Sequence, residues 1–208
     1  MSNLFHPLTF ILYLVSLLVA ITVHESAHAY AADKLGDPTP RLQGRLTLNP
    51  LAHLDPLGTL MLFLVRFGWG KPVQFDPFNL RNPRQDAAII SFAGPLSNIA
   101  LATVASIVLR LTLWSSLFSG FLTQLIIINV ILAIFNLIPI HPLDGFKIVG
   151  GLLPKHQAAE WYSLERYGII LLLLLLFPIF SQTPPIQLLI SPPINFLLNL
   201  LIPQAPLL

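Results

Sequence analysis

The chain has 208 residues, 55% of them apolar and only 10% charged, with a mean hydropathy of +0.77, which excludes an ordinary soluble domain and points to a bilayer. Its 11 Lys+Arg against 9 Asp+Glu leave a net charge of +2, so the pI of about 9.2 reflects scarce titratable groups and argues against a nucleic-acid partner. Zero cysteines exclude disulfides, thiolate zinc sites, Fe–S clusters and cysteine-protease chemistry, leaving His and carboxylate chemistry.

Residues 4–23 form a nearly unbroken apolar run, the length that one helix needs to cross a bilayer. No basic residue precedes the run, and His24 and Glu25 follow it, so it reads as a retained helix continuing to about Ala32 and not as a signal peptide. Residues 41–49 partly alternate between Pro40 and Pro50, the pattern of a short strand or hairpin. Residues 57–67 are apolar, but as a helix they would reach only about 16 Å against a hydrocarbon core of about 30 Å, so they are expected to dip in and return. Further spans read at 87–113, 121–139 and 167–180, with a Pro-punctuated apolar stretch at 186–202. These elements predict an all-α polytopic membrane protein of about five transmembrane helices, with a dipping segment and a short β element between the first two. A single domain over 1–208 is expected, with a catalytic core at about 8–150 and C-terminal helices at about 160–208.

Charge placement orients this layout. Lys34, Arg41, Arg45, Arg66, Lys71, Arg81 and Arg84 fall between the first two spans, and Lys147, Lys155 and Arg166 follow the third; only Arg110 lies on the other side. Because basic residues collect in cytoplasmic loops, a multi-pass cell-membrane protein with both long loops in the cytoplasm is expected.

Two places along the chain carry chemistry. His24-Glu25-Ser26-Ala27-His28 is an H-E-x-x-H pattern near the end of the first helix. Helical positions i and i+4 share a face, so both imidazoles reach one Zn²⁺ while the Glu reaches a metal-bound water. In a chain of this composition the pattern arises by chance with a probability of only about 0.002. Catalytic zinc normally takes three protein ligands, so a third must come from elsewhere. Asp144, just past the third span, returns to the same side of the membrane as His28 when the crossings are counted.

Together these motifs resemble the site-2 protease family of intramembrane zinc metalloproteases, in a small form without a PDZ or nucleotide-sensing domain. The resemblance rests on His24, Glu25 and His28, on Asn136, Pro139, Asp144 and Gly145 for the family's N-x-x-P-x(4)-D-G pattern, and on Gly94-Pro95-Leu96-Ser97-Asn98 for its G-x-x-x-N element. It implies one Zn²⁺ per chain held by His24, His28 and Asp144, with Glu25 as the catalytic acid/base. It also implies that Asn98 and Asn136 stand near the site, where an amide N–H would bond substrate or a developing oxyanion.

The function expected is therefore hydrolysis of peptide bonds in transmembrane protein substrates, with the active site near the cytoplasmic face and the bilayer, a homodimer mate or a regulatory membrane protein as further partners. A helical substrate must unwind before attack, and strand addition to residues 42–48 is one way to hold it. His53 and His141 are further candidate ligands, and Glu160 and Glu165 are the candidates if the third ligand is a Glu. The competing class is a non-catalytic polytopic protein, a metal transporter or scaffold with a vestigial zinc site. A transporter needs polar groups along a path through several spans, whereas here they gather at one end.

Overall fold

The computed structural model describes residues 7–65, 68–111, 116–178 and 182–203. Arg66, Phe67 and the expected span ends at 4–6, 112–113 and 179–180 lie outside them. The described residues form α1 (Pro7–Lys34), α2 (Thr39–Leu42), α3 (Pro56–Val65), α4 (Pro83–Leu111), α5 (Ser116–Asn136), α6 (Asp144–Leu152), α7 (Lys155–Ser163), α8 (Glu165–Leu176) and α9 (Pro185–Leu201), with one-turn 3-10 helices at Pro50–Ala52 and Pro77–Asn79. Among them there is no sheet, only an isolated antiparallel bridge between Leu54 and Gly70.

Among the described residues three helices are long and apolar enough to cross a membrane: α1, α4 and Leu117–Asn136 of α5. With 17 and 12 residues, α9 and α8 reach only about 26 and 18 Å at the helical rise. Prolines set those limits, since Pro178 follows α8 and Pro184 and Pro185 open α9. Among the described residues there are thus three long helices, and the C-terminal stretches read at 167–180 and 186–202 are two shorter ones.

α4 is the central element, packed against α1, α5 and α6. Its small residues Ala102 and Ala105, with Leu109, meet Leu122, Leu125, Ile126 and Val130 of α5 and Ile194 and Leu201 of α9 in one buried cluster. On α1 the fully buried residues include Ala20, Ala29 and Ala32, whose lack of bulk lets helix backbones approach closely. A close seam between α1 and α4 is what brings residues 24–28 and 90–98 together.

The expected dip is a ten-residue helix, α3, and its flanks meet again in the Leu54–Gly70 bridge and the Lys71 N–H to His53 carbonyl bond of 2.8 Å. The segment therefore leaves and returns on one side. The strand expected within 41–49 is not formed. Pro40 helps start α2, Gly44 turns the chain at a φ of +68°, and the buried Arg45 guanidinium donates to the Ala52 and Lys71 carbonyls. With its backbone turned and pinned, residues 42–48 offer no extended edge to a substrate.

The loop after α1 is tied down by one carboxylate. Asp37, fully buried, accepts from the Thr39 N–H (3.0 Å) and hydroxyl (2.6 Å), the Asp76 N–H (2.7 Å) and the Asn79 amide (2.8 Å). Burial alone would raise its pKa, but these donors outweigh it and hold the carboxyl below its ordinary value. Its contribution to stability is therefore complete above the unfolded value near 4 and is lost as pH falls through the lower folded one. Asp37→Asn, which sets an NH₂ against these donors, should cost about 1–3 kcal/mol at pH 7. The variant's melting temperature, followed from pH 7 to pH 3, should start lower and fall less than that of the wild type.

Candidate metal centre

His24, Glu25 and His28 lie in the second half of α1, and Asp144 is the first residue of α6. The return from α5 to α6 is tight. A Cβ at position 145 would run into the Leu137 and Ile138 carbonyls, so glycine is what lets the chain fold back and aim the preceding carboxylate at α1.

Three donor atoms converge. His24 Nε2 and His28 Nε2 are 3.0 Å apart, and Asp144 Oδ2 lies 3.1 Å from the first and 3.3 Å from the second. The ring planes stand at 87°. The far side of each ring decides which nitrogen carries the proton. His24 Nδ1 is 2.6 Å from Asn98 Oδ1, while the Asn98 amide donates to the Ala20 carbonyl (3.1 Å) and to Asn129 Oδ1 (2.7 Å). Since the Asn98 oxygen must accept, His24 donates from Nδ1. His28 Nδ1 likewise donates to the Ile90 carbonyl at 2.7 Å.

In the neutral form that binds a metal, both rings therefore turn an Nε2 lone pair toward each other and toward a carboxylate oxygen that is buried and accepts no hydrogen bond. Three converging acceptors repel unless a cation stands among them. Their separations of 3.0 to 3.3 Å suit the roughly 3.3 Å edges of a tetrahedron with bonds of about 2.0–2.1 Å, and two imidazoles with one carboxylate form a catalytic zinc donor set. His24, His28 and Asp144 thus fit the ion. Gly94 completes the cradle, because a Cβ there would collide with both imidazoles.

Glu25 lines the same cleft, of about 130 Å³, a volume that holds several waters. Its Oε2 accepts the Val73 N–H at 2.9 Å, so the extended stretch before Pro77 crosses the mouth of the site. Asn136 also lines the cleft, donating to the Leu132 carbonyl at 3.0 Å. Asn98 is placed differently from Asn136: fully buried, with its amide donors aimed at Ala20 and Asn129, it stands behind His24 and not in the cleft.

The other candidate ligands are not brought into the cluster. His53 Nε2 is 2.8 Å from the Thr47 carbonyl and 3.3 Å from the Ser26 hydroxyl, fastening the loop after α2 to α1. His141 Nδ1 is 3.5 Å from Glu165 Oε1, which turns both away from the metal group. Glu160 is likewise absent from that group. Asn129, unforeseen from the sequence, extends the chain from His24 and Asn98 by donating to the Leu125 carbonyl at 2.8 Å. An Asn within an apolar span was the signal available for it.

Comparison with known proteins finds zinc metalloproteases. Residues 110–176 match the model described as Peptidase family M50. The chain is 40% identical over 182 residues to a Bacillus subtilis protein named "Putative zinc metalloprotease YwhC", covering 83% of each. The chain belongs to peptidase family M50. Other relatives in this M50 comparison include "Putative zinc metalloprotease Rip2" of Mycolicibacterium smegmatis, 30% identical over 80% of this chain and 67% of that protein. A Methanocaldococcus jannaschii zinc metalloprotease is 26% identical over 74% of this chain and 37% of its own length. No solved structure matches. The matched 110–176 region holds Asp144 but not α1, so the candidate centre joins one residue inside that region to two outside it.

Proposed function

We propose that this M50 chain is an intramembrane zinc metalloendopeptidase that hydrolyses peptide bonds of transmembrane protein substrates. The observation that carries the reading is the convergence of His24 Nε2, His28 Nε2 and Asp144 Oδ2 beside the Glu25 carboxylate in one cleft with room for water. Zinc held by those three atoms supplies Lewis acidity, lowering the pKa of water toward about 7 and polarising a carbonyl.

The chain's own groups do the rest. Glu25 takes a proton from the attacking water, whose oxygen bonds to the scissile carbonyl carbon; when the C–N bond breaks, the carboxyl returns that proton to the leaving nitrogen. Asn98 is a positioning residue that holds His24 in the tautomer with a free Nε2, backed by Asn129. The Asn136 amide faces substrate and has one N–H beyond the bond to Leu132. A membrane domain over 1–208 with its active site at the cytoplasmic face of the cell membrane is supported by ten basic residues on one side of the three long helices.

Metal removal tests the reading. The detergent-purified chain should carry one zinc and cut a model transmembrane peptide. Chelation should abolish cleavage, and stoichiometric zinc should restore it. Undiminished cleavage by metal-free protein would refute the mechanism.

A further inference from the structure

A second cavity, of about 500 Å³, adjoins the metal cleft, and Phe75 and Lys147 line both. Its apolar walls come from the start of α4, α7 and the stretch around Pro77, and three cations, Arg84, Lys147 and Lys155, border it with no Asp or Glu among the lining residues. Among the described residues none of the three cations is within ion-pair distance of a carboxylate. Arg84 donates to the Leu153 carbonyl, and Lys147 Nζ lies over the Phe75 ring, 4.6 Å from its centroid. Tyr162, whose pKa burial raises, lines the same wall as a neutral phenol. A cavity with greasy walls, unpaired positive charge and a neutral donor is complementary to a carboxylate on a short apolar stem.

The cavity's place relative to the chemistry is set by α4. Ile90, whose carbonyl holds His28, is three residues from Ala87 and six from Arg84, or about 4.5 and 9 Å along the helix axis. An extended peptide rises about 3.3 Å per residue, so a substrate strand leaving the metal cleft past Phe75 brings its second or third residue into the cavity.

Resting on the proposed protease activity, we infer that this cavity is a specificity pocket for an acidic substrate residue, Glu or Asp, two or three positions from the scissile bond. The pocket selects substrates whose unwound segment carries a carboxylate close to the cut.

The test separates pocket from protease. Three labelled transmembrane peptides, identical except for Glu, Gln or Lys at those positions, are titrated into the zinc-loaded Glu25→Gln chain in neutral micelles, and wild-type kcat/KM is measured in parallel. The Glu peptide should bind and be cut about five- to twentyfold better than the Gln peptide, with Lys the poorest. Lys155→Glu should invert the order, favouring Lys over Glu. Equal binding of the three peptides, or a uniform loss in Lys155→Glu with the order unchanged, would overturn the pocket. Abolition of the Glu preference by added phosphatidylglycerol would also overturn it, assigning the cavity to lipid headgroups. Discrimination in binding without any wild-type cleavage would retain the pocket and remove the protease reading; cleavage without discrimination would do the reverse.

Discussion

Glu25→Gln is expected to lower turnover of a transmembrane peptide by about 10²–10⁴-fold, the range that a positioned acid/base contributes, while bound zinc stays at the wild-type level. The two consequences separate because Glu25 is absent from the three-atom donor group. In the cleft it accepts a bond from the Val73 N–H at 2.9 Å, which a Gln carbonyl oxygen can still accept. The substitution therefore removes the proton acceptor and leaves both the strap across the cleft and the metal ligands in position. Zinc content by atomic emission and cleavage by mass spectrometry check it. Wild-type turnover in the variant would remove Glu25 from the chemistry, whereas lost zinc would recast it as a ligand.

Asp144→Asn is expected to fail one step earlier, at metal binding. The carboxylate oxygen sits 3.1 and 3.3 Å from two lone-pair nitrogens and contributes the only negative charge in the donor set, so a neutral amide in its place weakens attraction to a dication at short range. Loss of an outer-sphere partner already costs about 10- to 100-fold in metal affinity; loss of a direct ligand should exceed that. Competition against a fluorescent chelator measures the affinity. Added zinc should raise the melting temperature of the wild type but not of Asp144→Asn, since a ligand stabilises only a fold that binds it. Wild-type affinity in this variant would mean that the third ligand is another residue, with Glu160 and Glu165 next to be replaced.

The site's legibility followed the range of the interactions involved. His24, Glu25 and His28 could be read as a unit because helix periodicity alone puts positions i and i+4 on one face. Asp144 could be paired with them by counting crossings, since a membrane allows the chain only two sides on which to place a loop. The alternation at 41–49 does not become a strand or hairpin because it is a local signal, while the conformation is set by Arg45, whose guanidinium bonds to Ala52 and Lys71. The C-terminal apolar stretches at 167–180 and 186–202 are legible from hydropathy and their interruption from the prolines, whereas the helix bounds at Leu176 and Pro185 belong to the folded chain.

By itself, the sequence determined that the chain belongs in a bilayer, carries a zinc-type His and carboxylate set, and returns Asp144 to the side of His28. Only the tertiary structure decided that Asn98 and Asn129 stand behind His24, that Gly94 cradles the rings, that Val73 reaches Glu25 and that a cationic cavity opens beside the cleft. Periodicity and hydropathy are properties of neighbours along the chain. Proton placement on an imidazole depends here on a group 74 residues away and the shape of the cavity on residues as far apart as Phe75 and Tyr162, and close packing of small residues on α1 and α4 brings the first pair together.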